Sequence, residues 1–251
     1  MKSILSRKNP IFAHLKKLSA DSGYRAQCGE FVCDGIKMLT DALKGGADVT
    51  CVVTSDEEFP VDVGETPLYL VPEDVLGSVS YLKTANDVLF TCKIPSVDVD
   101  DILRGRAIIL DGIQDPGNVG TILRSASAFG FDFVILVGGC ADMYNPKTVR
   151  ASMGAIFRQR FYKTNYDFIA DIVNRGAVVY GAAVSEGCIH VTEADLNGKF
   201  IAIGSEGSGL SEKLLGFCAE KIKIPMAEGC ESLNAAVAAS ILMWKASVER
   251  Q

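Results

Sequence analysis

Histidine, tryptophan and long apolar runs are scarce in this 251-residue chain. It has two histidines and one tryptophan, which leaves little material for a histidine-built metal site, and no metal is expected. No stretch approaches the roughly 18 uncharged apolar residues that a membrane span requires. The opening MKSILSRKNPIF lacks the apolar core of a secretory signal. The expectation is therefore a soluble, cytoplasmic protein with no membrane partner. Paired cysteine motifs are missing too. Eight cysteines (28, 33, 51, 92, 140, 188, 218 and 230) include no CxxC, and all but Cys28 sit within or beside apolar segments. Buried free thiols in a reducing compartment are expected, ahead of disulfides or metal ligands.

What is present is an ordinary globular balance, 48% hydrophobic and 22% charged, long enough for one large domain or two ordinary ones. The net charge of −6 is unevenly spread. Residues 1–40 carry seven Lys/Arg against three Asp/Glu, residues 41–101 carry three against thirteen, and the rest is neutral. Lys2, Arg7, Lys8, Lys16, Lys17, Arg25 and Lys37 could form a phosphate-facing patch or a solvated helix surface.

Periodicity reads residues 1–97 as a small mixed domain. Ile11, Phe12, Leu15 and Leu18 have helical spacing, as do Ile36, Leu39 and Leu43 before Gly45-Gly46. Residues 31–33, 49–53, 68–71 and 88–94 read as strands, with a short helix near 72–76. A linker follows within 95–106, centred on 98–105. From 106 to 251 the pattern is regular: strands at 108–110, 133–137, 178–181, 200–203 and 222–224 alternate with helices at 119–129, from 148, 168–174, 211–217 and 233–247. Short apolar strands separated by amphipathic helices predict an α/β fold with a parallel sheet covered on both faces.

Ligands of open α/β sheets bind beyond the carboxyl ends of the strands, and three loops there are unusual. The first, Asp111 to Arg124, holds Gly112, Pro116, Gly117 and Gly120, with Asn118 placed to cap the next helix and Arg124 inside an apolar run. A capped crossover helix with a solvent-seeking arginine is the plain alternative. Without GxGxxG, a dinucleotide site is disfavoured. The second loop, Ile203 to Leu210, has three glycines around Glu206; the third, Ile224 to Asn234, leads into a helix rich in small residues, where Glu231, Ser232 and Asn234 are also natural capping groups.

Taken in order, these loops resemble the SpoU-type (TrmH-type) RNA 2′-O-ribose methyltransferases of the trefoil-knotted SPOUT class. Asn118-x-Gly120-x-x-x-Arg124 is similar to the first family motif, Gly204-x-Glu206-x-x-Gly209-Leu210 to the second, and Ile224-Pro225-Met226 with Ser232-Leu233-Asn234-Ala235 to the third. Ala151-Ser152-x-Gly154-Ala155 resembles a further family segment. Asn9-Pro10 and Glu30-Phe31-Val32-Cys33-Asp34-Gly35 look like the N-terminal substrate-binding domain of such enzymes, whose fold is similar to a kink-turn-binding ribosomal protein; the family usually has Glu-Gly where this chain has Asp34-Gly35.

The resemblance implies methyl transfer from S-adenosylmethionine to a ribose 2′-hydroxyl, in ribosomal rather than transfer RNA. It implies cofactor contacts at Gly204, Gly209, Ile224, Met226, Leu233 and Ala182. It casts Arg124 as the residue that orients the 2′-hydroxyl, Asn118 and Asn234 as its positioning partners, Glu206 as holding the second loop, and Ser232 as a hydrogen-bonding group. RNA contacts are expected at Lys8, Lys16, Lys17 and Arg25, and a homodimer through the knot and the small face of the last helix, Ala235, Ala236, Ala238, Ala239 and Ser240. The competing readings are a transfer-RNA enzyme, a knotted RNA-binding protein without activity, and a nucleotide-dependent oxidoreductase.

Overall fold

A computed structural model describes residues 1–4, 6, 8–79, 88–185 and 187–249. In chain order the first part contains β1 (Lys2–Ser3), α1 (Pro10–Ala20), α2 (Ser22–Cys28), β2 (Glu30–Asp34), α3 (Ile36–Lys44), β3 (Val49–Thr54), β4 (Leu68–Leu70), α4 (Glu73–Val79) and β5 (Val88–Lys93). The second contains β6 (Ala107–Asp111), α5 (Pro116–Ala128), β7 (Phe133–Val137), α6 (Pro146–Ala151), β8 (Arg160–Lys163), α7 (Tyr166–Asn174), β9 (Val179–Ala182), β10 (Ile189–His190), β11 (Phe200–Gly204), α8 (Glu212–Leu215), β12 (Cys218–Lys223) and α9 (Ala235–Val248). Two compact units result. One comprises residues 1–96 with 142–157, the other 97–141 with 158–251.

The first unit has a five-stranded mixed sheet, β1-β4-β3-β5-β2. Helix α1 starts where Asn9 accepts from the Ile11 N–H (3.0 Å) and Pro10 supplies a preset φ. Its periodic face, Phe12, Leu15 and Leu18, packs on Val32, Val53 and Leu89 of the sheet. The helix α2 was not foreseeable from periodicity, because SGYRAQC has no apolar stripe. It is held instead by Asp21, which caps it, and by Arg25. Residues 142–157 complete this unit: α6 packs on β2, and Phe157 stacks on Phe31.

Arg25 overturns one expectation. It is 3% exposed, and its guanidinium donates to Asp142 Oδ2 at 2.5 Å and to the Leu18 carbonyl. A buried, compensated guanidinium cannot face phosphate, so Arg25 is removed from the proposed RNA contacts.

The second unit is built on a seven-stranded, wholly parallel sheet, β10-β12-β9-β11-β6-β7-β8. The central strands β6, β7 and β11 are buried along their length, as their uninterrupted apolar runs require. Edge strand β8 escapes a hydrophobic pattern search because RFYK begins and ends with a cation; Arg160 lies over the Phe133 ring at 3.9 Å. Strand β12 begins four residues before the expected strand at 222–224, since Ala219, Glu220 and Lys221 lie in it exposed to water.

Two further expectations are corrected here. The cap of α5 is Asp115, which accepts from the Asn118 N–H at 2.8 Å, because Pro116 already occupies the first helical position. Asn118 thus lies inside the helix with its amide free for other work, and Gly117 and Gly120 are helical rather than loop residues. On α9, Ala235, Ala236 and Ala239 are buried within the chain, where α9 packs on α5, and the Ser125 and Ser240 hydroxyls meet at 2.8 Å. Three of the five small residues serve this close helix contact, while Ala238 and Ser240 are half-buried. The exposed apolar residues of α9 are Val237, Trp244 and Val248.

Arg25 is buried while the Asp142 side chain is 28% exposed, so losing the arginine leaves a carboxylate that water reaches and removes a packed side chain. Arg25→Ala is therefore expected to lower unfolding stability by about 2 kcal/mol in a urea titration. A change within experimental error would show that the Arg25–Asp142 pair is not formed in solution.

Candidate functional site

The carboxyl ends of β9, β11 and β12 open onto a pocket of about 430 Å³ in the second unit. Its floor is apolar, formed by Ile203, Leu210 and Ile222, and its walls are Ala182, Gly204, Ile224, Met226, Ser232 and Leu233. Glu206 and Gly209 line it as well. All six residues expected from sequence to touch a cofactor are thus brought together from three separate loops.

The loop after β11 is shaped by glycine. A Cβ at Gly204 would come within 2.0 Å of the Gly209 carbonyl carbon, and Gly209 has φ +66°. The chain therefore doubles back on itself between Ser205 and Gly209, paired through both backbone N–H groups, and turns Glu206 outward. The Glu206 carboxylate accepts from the Asn118 side-chain amide and, at 3.4 Å, from the Ala235 N–H at the start of α9. Asn234 caps α9 by accepting from Ala236 N (2.9 Å) and Val237 N (3.2 Å), while its own amide donates to Asn118 Oδ1 at 3.0 Å. The capping and functional readings of Asn234 are both realised, by different atoms of one side chain.

Ser232 lines the pocket and is exposed. Arg124 does not line it. It lies on the exposed face of α5, about 9 Å along the helix from Asn118 at 1.5 Å per residue, and among the described residues no side chain pairs with it. In the first unit Lys8, Lys16 and Lys17 are exposed, Lys17 over the Tyr24 ring at 5.3 Å, and Lys2 and Lys37 are exposed too. Arg7 lies outside the described residues.

Two thiols of this unit are held protonated: burial pushes the Cys218 thiol up to about 11, and burial also raises Cys140 despite backbone donors that oppose it. Cys230, expected to be buried, is exposed on the loop after β12, where few apolar neighbours exist to cover it. No cluster of three or more potential metal ligands occurs among the described residues. Chemically the site offers an apolar bed, open main-chain groups, the Glu206 carboxylate and the Lys221 ammonium. That set fits a flat, drug-sized ligand with both apolar and charged parts.

Residues 105–244 match the model of the SpoU rRNA Methylase family, and residues 9–89 match the MRM3-like substrate binding domain. The chain is 32% identical over 249 residues to the 23S rRNA (guanosine(2553)-2'-O)-methyltransferase RlmP of Bacillus subtilis strain 168, covering 97% of this chain and 98% of that protein. It is 26% identical to the 23S rRNA (uridine(2479)-2'-O)-methyltransferase of Streptomyces viridochromogenes, over 98% of this chain and 92% of that one. Among solved structures, an AdoMet-bound rRNA methyltransferase from Sinorhizobium meliloti superposes with a TM-score of 0.89 at 27% identity, over 100% of this chain and 98% of that one. The SpoU methyltransferase AviRb from Streptomyces viridochromogenes, in complex with AdoMet, superposes with a TM-score of 0.85 at 27% identity over 97% and 98%.

A residue outside the matched motifs ties two of their loops together. Asp111, 3% exposed at the end of β6, accepts from Ser211 N and from the Tyr166 hydroxyl, each at 2.7 Å. Its backbone pairs with Gly204, where the pocket loop begins, and its side chain grips Ser211, where that loop ends. Burial raises the Tyr166 hydroxyl's pKa, and donation to Asp111 raises it further, so Tyr166 stays a donor at neutral pH. The signal in sequence was only an acidic residue closing an apolar strand. Asp111→Ala strands two donors and is expected to cost about 3 kcal/mol in urea unfolding. Asp111→Asn keeps a carbonyl for Ser211 and lets the tyrosine hydroxyl turn to accept, so its loss should be under half as large. Equal losses would mean that the charge, not the acceptor geometry, matters.

Proposed function

The chain belongs to the SpoU rRNA methylase family, and from that premise we propose that it transfers a methyl group from S-adenosylmethionine to a ribose 2′-hydroxyl of ribosomal RNA. The observation that carries this reading is the convergence of Asn118, Glu206 and Asn234 beside a pocket lined by Gly204, Ile224, Met226 and Leu233.

When bound, S-adenosylmethionine supplies a methyl carbon activated by its sulfonium centre. The chain's own residues do the rest. Ile203, Leu210 and Ile222 would receive the adenosine, main-chain groups at Gly204, Ile224 and Leu233 would fix it, and Ala182 and Gly209 would leave room for it. Glu206 braces the loop and favours the positive centre. Asn118 and Asn234, locked to each other, hold the ribose, and Ser232 donates beside them. Arg124 presents a guanidinium from the exposed face of α5. Its role is to align the 2′-oxygen and stabilise the negative charge that develops there as the oxygen takes the methyl group and its proton passes to a substrate phosphate or to water.

The first unit recognises the RNA, with Lys8, Lys16 and Lys17 facing phosphate. The knot implied by the resemblance is supported by α9, which follows the near-edge strand β12 yet packs on α5 and β11 at the sheet centre. We also propose a homodimer, its partner surface being the exposed Val237, Trp244 and Val248 of α9 rather than the alanine face. Mapping 2′-O-methyl positions in the ribosomal RNA of a deletion strain tests the activity directly; no lost position would refute it.

Arg124→Ala should lower turnover by about 100-fold or more, while S-adenosylhomocysteine affinity stays within about two-fold of wild type. Parallel loss of both would make Arg124 a cofactor or folding residue. Light scattering should return twice the 26.9 kDa chain mass, and Trp244→Glu should return the single-chain mass. A wild-type monomer that is active would dismiss the dimer.

A further inference from the structure

The unit of residues 1–96 and 142–157 has a second pocket, of about 370 Å³, where β2 passes into α3. Its burial is graded. Asp34 and Thr54 are buried, 8% and 0% exposed, and Asp56 is half-buried, held by its N–H donating to Thr54 Oγ1 at 3.0 Å. At the mouth, Lys37, Arg150 and Met153 are exposed. Among the described residues Met153 is the one non-glycine at positive φ, +49°. The following Gly154, φ +83°, presses so close to Asp41 that a Cβ would come within 2.7 Å of its carboxylate. Tertiary packing thus imposes a costly backbone conformation that sets an exposed thioether at the pocket mouth.

We propose that this pocket takes one unstacked guanine base of the RNA strand, an inference that rests on reading the chain as an RNA methyltransferase. The interior is rich in acceptors and the mouth in cations. The carboxylates of Asp34, Asp41 and Asp56 line it and repel a phosphate entering alone, which favours a ligand that brings donors inward and leaves its negative charge outside; Asp56 Oδ1 already accepts from the Glu58 N–H at 2.9 Å and keeps its other oxygen for such a donor. A nucleotide does both. Of the four RNA bases, guanine presents two adjacent donors on its Watson–Crick edge, N1–H and the N2 amino group, which a carboxylate accepts side by side. Uracil has one N–H flanked by carbonyls, while cytosine and adenine set a ring nitrogen lone pair beside their amino group. Phe59 and Met153 supply apolar and polarisable contacts for the ring. Two cations at the mouth, Lys37 and Arg150, suit a strand with a phosphate on each side of the base better than a free mononucleotide.

The test uses the full chain and calorimetric titration with UUGUU, UUUUU and guanosine monophosphate. UUGUU should bind about tenfold tighter than UUUUU, and tighter than guanosine monophosphate. Met153→Ala and Lys37→Ala, both at exposed positions, should each weaken UUGUU about fivefold, and Asp56→Asn should erode the preference for guanosine. S-adenosylhomocysteine affinity should be unchanged in all three. Equal binding of the two pentanucleotides, or a preference untouched by Asp56→Asn and Met153→Ala, overturns the proposal. Guanosine monophosphate binding as tightly as UUGUU overturns the assignment to an RNA strand. Failure of wild type to bind S-adenosylhomocysteine would count against the methyltransferase reading instead, so the two failures are distinguishable.

Discussion

One carboxylate, Glu206, is shared by the side chain of Asn118 on α5 and the first turn of α9. Asn234 closes the triangle by donating to Asn118 while capping its own helix. These contacts join segments 88 and 116 residues apart in sequence. They form only because β6 and β11 are adjacent in the sheet and the loops leave the same edge. Ordering each loop alone would cost backbone entropy with little return. Cross-linked by hydrogen bonds, they order one another and leave a pocket whose main-chain groups stay open.

Behind that triangle, Asp111 does a structural counterpart of the same task. It is buried, which penalises a carboxylate unless donors compensate, and Ser211 and Tyr166 provide them. The strand that leads into the first motif thereby fixes the exit of the second. The pocket's geometry is a property of the sheet edge, not of any one loop, which suits a reaction that needs alignment of two substrates rather than a covalent intermediate.

The small residues of α9 show how one compositional feature admits two physical uses. Ala235, Ala236 and Ala239 permit a close approach of helices, and in this chain the approach is to α5. The close contact brings Ser125 and Ser240 together and sets the capped end of α9 next to Asn118. Arg25 shows the same ambiguity for charge. A basic residue in a basic segment looks available to phosphate, yet its placement between Leu18 and Asp142 turns it into a buried strut.

By itself the sequence determined the class of fold, because β6, β7 and β11 are uninterrupted apolar runs that only a doubly covered parallel sheet buries. Its resemblance to the SpoU-type enzymes, carried by the ordered motifs around Asn118, Glu206 and Asn234, also implied the pocket residues. Tertiary structure decided what depends on partners distant along the chain. The cap of α5 moved to Asp115 because Pro116 fits the first helical position. Segment 142–157 joined the first unit through Asp142 and α6, and Asp111 gained a role through Ser211, 100 residues away. Strands β8 and β12 were hidden or foreshortened because strands at or near an edge tolerate charge on their open side. Periodicity records which residues seek burial; it does not record which neighbour will bury them.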